Sequence, residues 1–254
     1  DEWNPSLGVY NVGVTAAVET DRCNPAWLDA CNKMDSIVVP STFTKNVLKR
    51  SGISTTGIHV IPEWYNPSID QDVKSLNLDL TTDFNFLTVG LFTDPRPDND
   101  RKNLYKTISF LCEKFKDNDD VGIIVKTSMG KSSSFDRKRT VKYFKSMVAS
   151  IRPNSQYPKI YLLHGDMTDE ELHGIYKHPK ISAALSCTHG EGFGLPLFEA
   201  AYMGAPVVAP GWSGQLDFLC DEAGQSHFYN IAFDIQPIPE NVVWQNVIPA
   251  GSMW

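Results

Sequence analysis

Short apolar runs alternate with helical patterns along most of the chain. Three such runs near the start are predicted to be strands, at residues 9–15, 36–40 and 58–61. Asn24 is suited to cap a helix after the first strand, and Ser41 to cap a second helix that stops at Gly52. This β-α-β-α-β order predicts a parallel sheet, because parallel strands need a helical crossover between them.

The alternation stops at residues 63–83, which contain several Pro, Asp and Asn residues and have little periodicity, and then restarts. Five further strands are predicted, at residues 84–90, 121–127, 160–164, 181–187 and 206–210. Helical patterns separate them, at residues 103–116, 135–151, 168–176 and 195–202. Beyond residue 221 the pattern is weaker, with short β-like pieces around residues 228–235 and 242–247.

The pattern predicts an α/β fold with two Rossmann-like, doubly wound parallel-sheet domains. Residues 1–62 are expected to form the last three strands of an incomplete first domain, and residues 84–254 a nearly whole second one. Residues 63–83 are predicted to be the linker between them. Ligands of such sheets bind beyond the carboxyl ends of the strands, so the loops that follow the strands are where chemistry is expected.

Charge and hydropathy narrow the range of partners. The formal net charge of -7 argues against broad electrostatic capture of nucleic acid or anionic membrane. No apolar run approaches the roughly 20 residues that span a bilayer, so no transmembrane segment is expected. The first residues lack the basic flank and apolar stretch of a signal peptide.

The cysteines give no sign of a disulfide framework or a zinc site. There are five of them, an odd number, and no two have CxxC spacing. They are Cys23, Cys31, Cys112, Cys187 and Cys220. Reduced thiols in a cytoplasmic protein are the expected state.

The clearest local motif is a glycine-rich segment that follows a predicted strand and opens a helix. It runs HGEGFGLPLFEA from His189 to Ala200, with glycines at 190, 192 and 194. The N-terminus of a helix offers unpaired N–H groups and a partial positive charge, which suit a pyrophosphate. The spacing is not the GxGxxG of nicotinamide or flavin sites. The structural alternative is a turn whose glycines only permit tight packing.

A second motif, Arg101-Lys102-Asn103, lies at the predicted start of the helix after the strand at residues 84–90. Two cations are unfavourable there because the helix dipole is positive at that end. An anionic ligand would explain them, whereas the structural alternative is a solvated charge pair.

These motifs together resemble retaining glycosyltransferases of the GT-B fold, family-4 type. Glu191 and Glu199, which are separated by seven intervening residues within HGEGFGLPLFEAAYMGAPVVAP, resemble the EX7E motif of that family. The segments LHGDMTDEELHGIY upstream and GWSG downstream are similar to the family's flanking segments, as is VGVTAAVETDRCNPAWLDACNKMDSIVVPSTFTKNVLKRSG near the start. The resemblance covers about residues 9–220 and implies an acceptor-side domain followed by a donor-binding domain.

The resemblance implies roles for particular residues. Glu199 would bind the ribose hydroxyls of a nucleotide, and Glu191 the hydroxyls of the donor sugar. Arg101 and Lys102 would bind the diphosphate, so these two and Glu191 are the expected catalytic residues. The family's arginine often follows the glycine that ends this strand directly, but Leu91 follows Gly90 here, so Arg96 is an alternative to Arg101. The backbone of residues 193–195 would cradle the sugar and phosphates; the further donor-binding candidates are Phe193, Gly194, Leu195, Gly192, His189 and Lys126.

Other polar residues have a functional or an ordinary structural interpretation. The loop after the first strand could line the acceptor side of a cleft or be a plain polar loop; its residues are Gly13, Thr15, Glu19 and Thr20. His173 and His178 are predicted to lie on a helix surface. The acidic run at residues 117–120 is predicted to be a solvated turn and not a metal site.

The resulting hypothesis is transfer of a hexose-like sugar from a nucleoside diphosphate to a hydroxyl acceptor, with retention of configuration. The acceptor is a carbohydrate, a lipid or another hydroxyl compound; the donor is a co-substrate, and neither a cofactor nor a metal is expected. Two alternatives stay open: a nucleotide-sugar epimerase or phosphorylase of similar architecture, and a non-catalytic module that binds nucleotide sugars.

Overall fold

The computed structural model describes residues 3–16, 19–53, 57–70, 72–244 and 247–254. Its strands are β1 Val12–Val14, β2 Ser36–Val39, β3 Gly57–Val60, β4 Phe84–Val89, β5 Val121–Lys126, β6 Lys159–Leu163, β7 Ile181–Leu185, β8 Val207–Pro210 and β9 Tyr229–Ile231. Its helices are α1 Pro25–Cys31, α2 Thr42–Ser51, α3 Leu104–Lys114, α4 Ser134–Ile151, α5 Asp169–Tyr176, α6 Leu195–Tyr202 and α7 Leu216–Leu219. Short 3-10 turns occur at Pro67–Asp70, Pro97–Asn99 and Glu240–Val242. The strands form two parallel sheets, as predicted.

The first sheet has the order β1-β2-β3, and its helices begin where the sequence predicts, although α1 ends at Cys31, about three residues before the predicted end at Met34. The Asn24 side chain accepts from the N–H of Ala26 at the start of α1. Ser41 accepts from the N–H of Thr44 at the start of α2, and Gly52 ends that helix with a φ of 114°. Because no β-carbon opposes the left-handed conformation in glycine, Gly52 stops the helix at little cost.

The segment between the sheets packs closely against the second unit. Leu80 is buried in the core beside β4, and Leu76 and Leu78 pack against the same core. The backbone N–H of Leu76 also donates to the carbonyl oxygen of Gly174 in α5 at 3.0 Å. The apolar leucines of this stretch alternate with polar residues, and their burial explains how an irregular segment is held in place.

The second sheet has the order β6-β5-β4-β7-β8-β9, with every neighbouring pair parallel. Its central strands are apolar because helices cover both faces; Ile123, Ile124 and Val125 of β5 are fully buried. One core lies beneath α3 and α4, and the other beneath α5 and α6. This doubly wound arrangement is the predicted GT-B-like architecture.

Two local predictions need qualification. In the predicted β-like piece at residues 242–247, residues 245 and 246 lie outside the described residues, Val242 ends a 3-10 turn, and Trp244 forms an isolated antiparallel bridge with Ile248. His173 was predicted to lie on a helix surface, but it is 1% exposed. The segment that contains Leu76 packs on α5 and covers one face of that helix. The sequence of α5 alone does not show whether this face is buried or exposed.

The two units contact each other through several polar and aromatic side chains. A carboxylate oxygen of Asp217 accepts from the backbone N–H of Thr42 at 2.7 Å, and the rings of Phe43 and Trp212 pack edge to face. The C-terminal end of the chain also reaches the first unit, where the N–H of Asp21 donates to the carbonyl oxygen of Met253. Within the described ranges, none of the helices combines the length and the apolarity needed to cross a bilayer.

Candidate functional site

The second sheet reverses its strand order beside β4, and a crevice opens at that point. β5 and β6 lie on one side of β4, whereas β7, β8 and β9 lie on the other. The loops that leave the carboxyl ends of β4 and β7 therefore diverge, which is where ligands bind in open α/β sheets. The loop after β1 of the first sheet reaches the same crevice, with Ala16 and Glu19 against the glycine-rich loop after β7.

The three glycines of that loop serve two different purposes. Gly194 has a φ of 102° and precedes α6, a left-handed conformation that other residues rarely adopt. A β-carbon on Gly190 would lie 2.1 Å from the carbonyl oxygen of Glu19, and one on Gly192 would lie 2.2 Å from that of Ala16. These two glycines therefore permit close packing of the two units, which is the structural alternative considered for this motif.

Lys102 and Glu191 form an ion pair where the loops after β4 and β7 meet. The Lys102 Nζ lies 2.6 Å from Oε1 and 2.7 Å from Oε2 of Glu191. Their side chains are largely buried, with exposed fractions of 18% and 10%. The N–H of Glu191 donates to the Ser213 hydroxyl at 3.0 Å, which holds the loop in place. Because the local dielectric is lower than that of water, the attraction between the two charges is strong.

Arg101 lies beside this pair and connects it to the first unit. Its Nε is 2.7 Å from Oε2 of Glu19, and its Nη1 donates to the carbonyl oxygen of Gly190 at 3.2 Å. The same Nη1 is 3.9 Å from Oε2 of Glu191. Two cations and two carboxylates from three loops thus form one connected cluster. Arg96, the alternative arginine, is instead paired with Asp94.

The cationic dipeptide lies in a turn before α3 and not in the helix itself. Asn103 has a left-handed backbone with a φ of 55°, and α3 begins at the next residue. Asp100 caps the helix, accepting from the N–H of Leu104 at 2.8 Å. The buried Asp100 carboxylate supplies the negative charge that the N-terminus of a helix favours. The positive charges of Arg101 and Lys102 therefore do not lie within α3, and both side chains extend into the crevice, where they form their ion pairs.

A further carboxylate, Glu63, interacts electrostatically with this cluster, and the sequence did not indicate it. Burial raises the pKa of Glu63, and the charge of Glu191 raises it further while Lys102 opposes the shift. Burial likewise raises the pKa of Glu19, against the attraction of Arg101. Glu63 lies within the predicted linker, but it is also three residues beyond the carboxyl end of β3. That position at the strand end was the signal that could have identified it.

Glu199 lies in α6 and contacts a buried tyrosine. The Tyr176 hydroxyl donates to Oε2 of Glu199 at 3.4 Å. Burial raises the pKa of Glu199 to about 7, although the hydrogen bond from Tyr176 opposes the shift. A small cavity of about 20 Å³ is lined by both Tyr176 and Glu191. The tyrosine thus lies between the two glutamates of the motif.

The remaining predicted donor-binding residues lie around this crevice in different settings. The ring of His189 stacks on Trp254 with 4.5 Å between centroids, and burial lowers its pKa to about 4, so it is neutral at pH 7. Phe193 is buried against the rings of neighbouring helices, and Leu195 begins α6. Lys126 ends β5 and donates from Nζ to the carbonyl oxygen of Gly165 at 2.7 Å. Its ammonium is therefore engaged with the loop after β6.

Comparison with known proteins identifies the fold. No family model and no curated protein matches the chain, but solved structures do. An E. coli structure described as trehalose-6-phosphate bound with UDP-2-fluoro glucose has a TM-score of 0.57 and 11% identity, covering 76% of this chain and 50% of its own. The pneumococcal O-GlcNAc transferase GtfA, in complex with UDP and GlcNAc, has a TM-score of 0.53 and 17% identity, with coverages of 89% and 42%. TarM has a TM-score of 0.57 and 16% identity, with coverages of 91% and 42%.

These structural neighbours are GT-B glycosyltransferases, and the chain shares their fold. It spans about half the length of the structures it matches. At identities of 11–17% the likeness establishes architecture. The activity has to be argued from the site, because one fold hosts many functions.

Proposed function

We propose that this chain is the donor-binding part of a retaining hexosyltransferase, similar to family 4 of the GT-B enzymes. It would transfer a hexose-like sugar from a nucleoside diphosphate to an acceptor hydroxyl. The observation that carries the proposal is the Lys102–Glu191 pair, held beside Arg101 at the strand-order reversal of the second sheet. Structural neighbours described with UDP-2-fluoro glucose, or with UDP and GlcNAc, support a nucleotide-sugar donor.

The ion pair is suited to exchange partners when a donor binds. Lys102 would turn from Glu191 to the diphosphate, and Arg101 would add a second positive charge. Glu191 would then accept hydrogen bonds from the hydroxyls of the sugar. The paired state also lowers the cost of keeping these charges largely buried before the donor arrives. The free energy of donor binding is therefore the free energy gained from contacts with the donor less the free energy lost when Lys102 leaves Glu191.

The nucleoside end of the donor would lie toward α6. The Glu199 carboxylate would accept from both ribose hydroxyls, with the Tyr176 hydroxyl keeping it oriented. The N–H groups at the start of α6, after Gly194, face the same end of the crevice and favour phosphate oxygens. The backbone of Phe193 and Leu195 would line this end of the crevice, while their side chains pack against the protein.

Transfer would require stabilisation of the leaving group more than a strong base. The anomeric carbon loses its bond to the diphosphate oxygen, so negative charge develops on the phosphates. Lys102, Arg101 and the N-terminus of α6 stabilise that charge in a partly dry crevice. A bound metal is not needed for this step, since two cationic side chains are already present. The departing phosphate accepts the proton of the acceptor hydroxyl on the same face, which retains the configuration.

Nucleotide binding tests the proposal directly. UDP, GDP and ADP are titrated calorimetrically into the wild type and into the Glu199→Ala and Lys102→Ala variants. Loss of a hydrogen-bonded charge is worth about 1.5–3 kcal/mol, so each variant should bind the preferred nucleotide roughly 10- to 100-fold more weakly. Lys145→Ala, an exposed change on α4, serves as the control and should bind like the wild type. Unchanged affinity in both site variants would refute the proposal.

Two alternative functions, binding of a nucleotide sugar without catalysis and epimerisation of its sugar, would use the same donor-binding residues. Turnover assays with UDP-sugars separate the possibilities. Glycoside product with retained anomeric configuration supports transfer. Nucleotide binding with no product supports a binding module, and isomerised sugar formed without an acceptor supports an epimerase.

A further inference from the structure

A cavity of about 540 Å³ lies next to the candidate donor site, on the far side of Arg101. Its walls come from the loop after β4, the C-terminal segment that follows β9, and Glu19 of the first unit. Arg101 belongs to the wall of this cavity and also lies 3.9 Å from Glu191. The Arg101 side chain therefore connects the wall of the cavity to the Lys102–Glu191 pair.

From this arrangement we infer that the cavity is an acceptor subsite that takes a neutral hexopyranose. The inference rests on the proposed glycosyl transfer. The position beside Arg101 would place a hydroxyl of the bound sugar against the donor. In the transfer step that hydroxyl oxygen forms a bond to the anomeric carbon of the donor. The bond from that carbon to the diphosphate oxygen breaks, and the diphosphate leaves with the electron pair and accepts the hydroxyl proton.

Aromatic side chains give the cavity one apolar wall. The indole of Trp244 is 65% exposed, and the backbone of Trp244 exchanges two hydrogen bonds with that of Ile248. Trp254 is only 8% exposed and is held by stacking on His189. A large, exposed indole is suited to cover the apolar C–H face of a sugar ring, since indole combines a broad apolar face with a polar edge.

The opposite wall is polar, and the two ion pairs in it have no net formal charge. Glu19 is paired with Arg101 at 2.7 Å, and Asp94 is paired with Arg96 at 2.8 Å. Each carboxylate is thus balanced by an arginine, which favours a neutral hydroxyl ligand over a second anion. Both Asp94 oxygens accept from Arg96, so the second carboxylate oxygen of Glu19 and the amide oxygen of Asn241, which lines the same cavity, are the acceptors that would bind sugar hydroxyls.

The shape of the cavity is set by contacts between distant parts of the chain. The side-chain amides of Asn241 and Asn99 lie within hydrogen-bonding distance of each other, at 3.1 Å, which ties the C-terminal segment to the loop after β4. The carbonyl oxygen of Met253 accepts from the N–H of Asp21, which ties the same segment to the first unit. These contacts hold the walls of the cavity together before a ligand binds, which lowers the entropic cost of binding.

The test uses the whole chain and three defined probes: methyl α-glucopyranoside, methyl α-mannopyranoside and methyl N-acetyl-β-glucosaminide. Saturation-transfer NMR is recorded with and without UDP. At least one glycoside should receive saturation on its ring C–H protons. This signal should fall at least fivefold in Trp244→Ala and be largely retained in Trp244→Phe. Trp64→Ala is the matched control, because Trp64 is another exposed indole, 78% accessible, outside the cavity.

Indole N–H spectra provide a readout that does not depend on the alanine variant folding. The chain has six tryptophans, so six indole signals are expected, and the Trp244→Phe spectrum assigns one of them. A binding glycoside should shift the Trp244 signal and leave the Trp64 signal in place. Glycoside signals that are absent, or equal in the wild type and Trp244→Ala, overturn the acceptor subsite. UDP calorimetry on the same samples tests the donor site separately, so failure of one proposal is distinguishable from failure of the other.

Discussion

Glu199 should make the protein less stable as the pH rises through neutrality. Its pKa is about 7 in the folded protein, against 4.5 for an unperturbed glutamate. Between these values the native state keeps a proton that the unfolded chain has lost, so the free energy of unfolding falls as the pH rises from about 4.5 to 7. The gap of about 2.5 pH units corresponds to a loss of about 3 kcal/mol, complete above pH 7.

The Glu199→Gln substitution removes this titration, because an amide is neutral at every pH. The variant and the wild type should have similar melting temperatures at pH 5, where both side chains are uncharged in the native state. At pH 8 the variant should melt about 6–12 °C higher, the shift expected for about 3 kcal/mol in a protein of this size. Glu222→Gln is the control, since Glu222 is exposed and its removal should not change the pH dependence.

Ligand affinity should respond to the same group in the opposite direction. A ribose diol needs carboxylate oxygens as acceptors, so the ionised form is the one that binds. About a tenth of the protein is in the ionised form one pH unit below the pKa, so UDP affinity should rise roughly tenfold between pH 6 and pH 8. This rise is measured in excess of any rise that Glu199→Gln shows over the same pH range. Identical pH profiles of melting temperature for the wild type and Glu199→Gln would refute the assignment of a buried, protonated carboxyl.

Two further predictions concern the crevice. Lys102→Met should destabilise the protein by about 3 kcal/mol in urea denaturation, because it leaves the Glu191 carboxylate largely buried without its main partner. The double variant with Glu191→Gln should recover most of that loss of stability. Gly192→Ala should lower the free energy of unfolding, followed by thermal melting, by about 1–3 kcal/mol or more, because the new β-carbon would lie 2.2 Å from the Ala16 carbonyl oxygen. Gly57→Ala is the control and should be nearly neutral, because a β-carbon at Gly57 meets only the end of a side chain.

Either of these results has a clear contrary outcome. A Lys102→Met protein as stable as the wild type would mean that the ion pair contributes nothing in the folded state. Equal melting temperatures for Gly192→Ala and Gly57→Ala would mean that the loop after β1 does not rest on the glycine-rich loop in solution. The close packing of the two units at the crevice would then be wrong.

Local features of the fold were predictable because their causes are local. The helix caps at Asn24 and Ser41 and the left-handed stop at Gly52 all depend on residues within one turn. Strands β4 to β8 were found to within two residues, since helices on both faces force their side chains to be apolar, whereas β9 ends four residues before the predicted piece at 228–235 does. The alternation of these strands with helices predicted both parallel sheets.

The glycine-rich motif shows where such reasoning stops. Its position between a strand and a helix was predicted, and the left-handed Gly194 agrees with a tight turn. Its spacing left two interpretations of the other glycines open, a ligand cradle or close packing. Gly190 and Gly192 meet the backbone of the loop after β1, more than 170 residues away in sequence. A pattern of nearby residues contains no information about a partner at that distance.

By itself, the sequence determined the α/β class, the two parallel sheets and the loops where polar chemistry collects, because hydrophobic periodicity and capping act over a few residues. Only the tertiary structure decided which side chains meet. It joined Lys102 to Glu191 and Arg101 to Glu19, brought Glu63 into electrostatic interaction with their cluster and buried His173. These outcomes depend on the order of strands in the sheet and on the contact between the units, and long-range packing energies decide both.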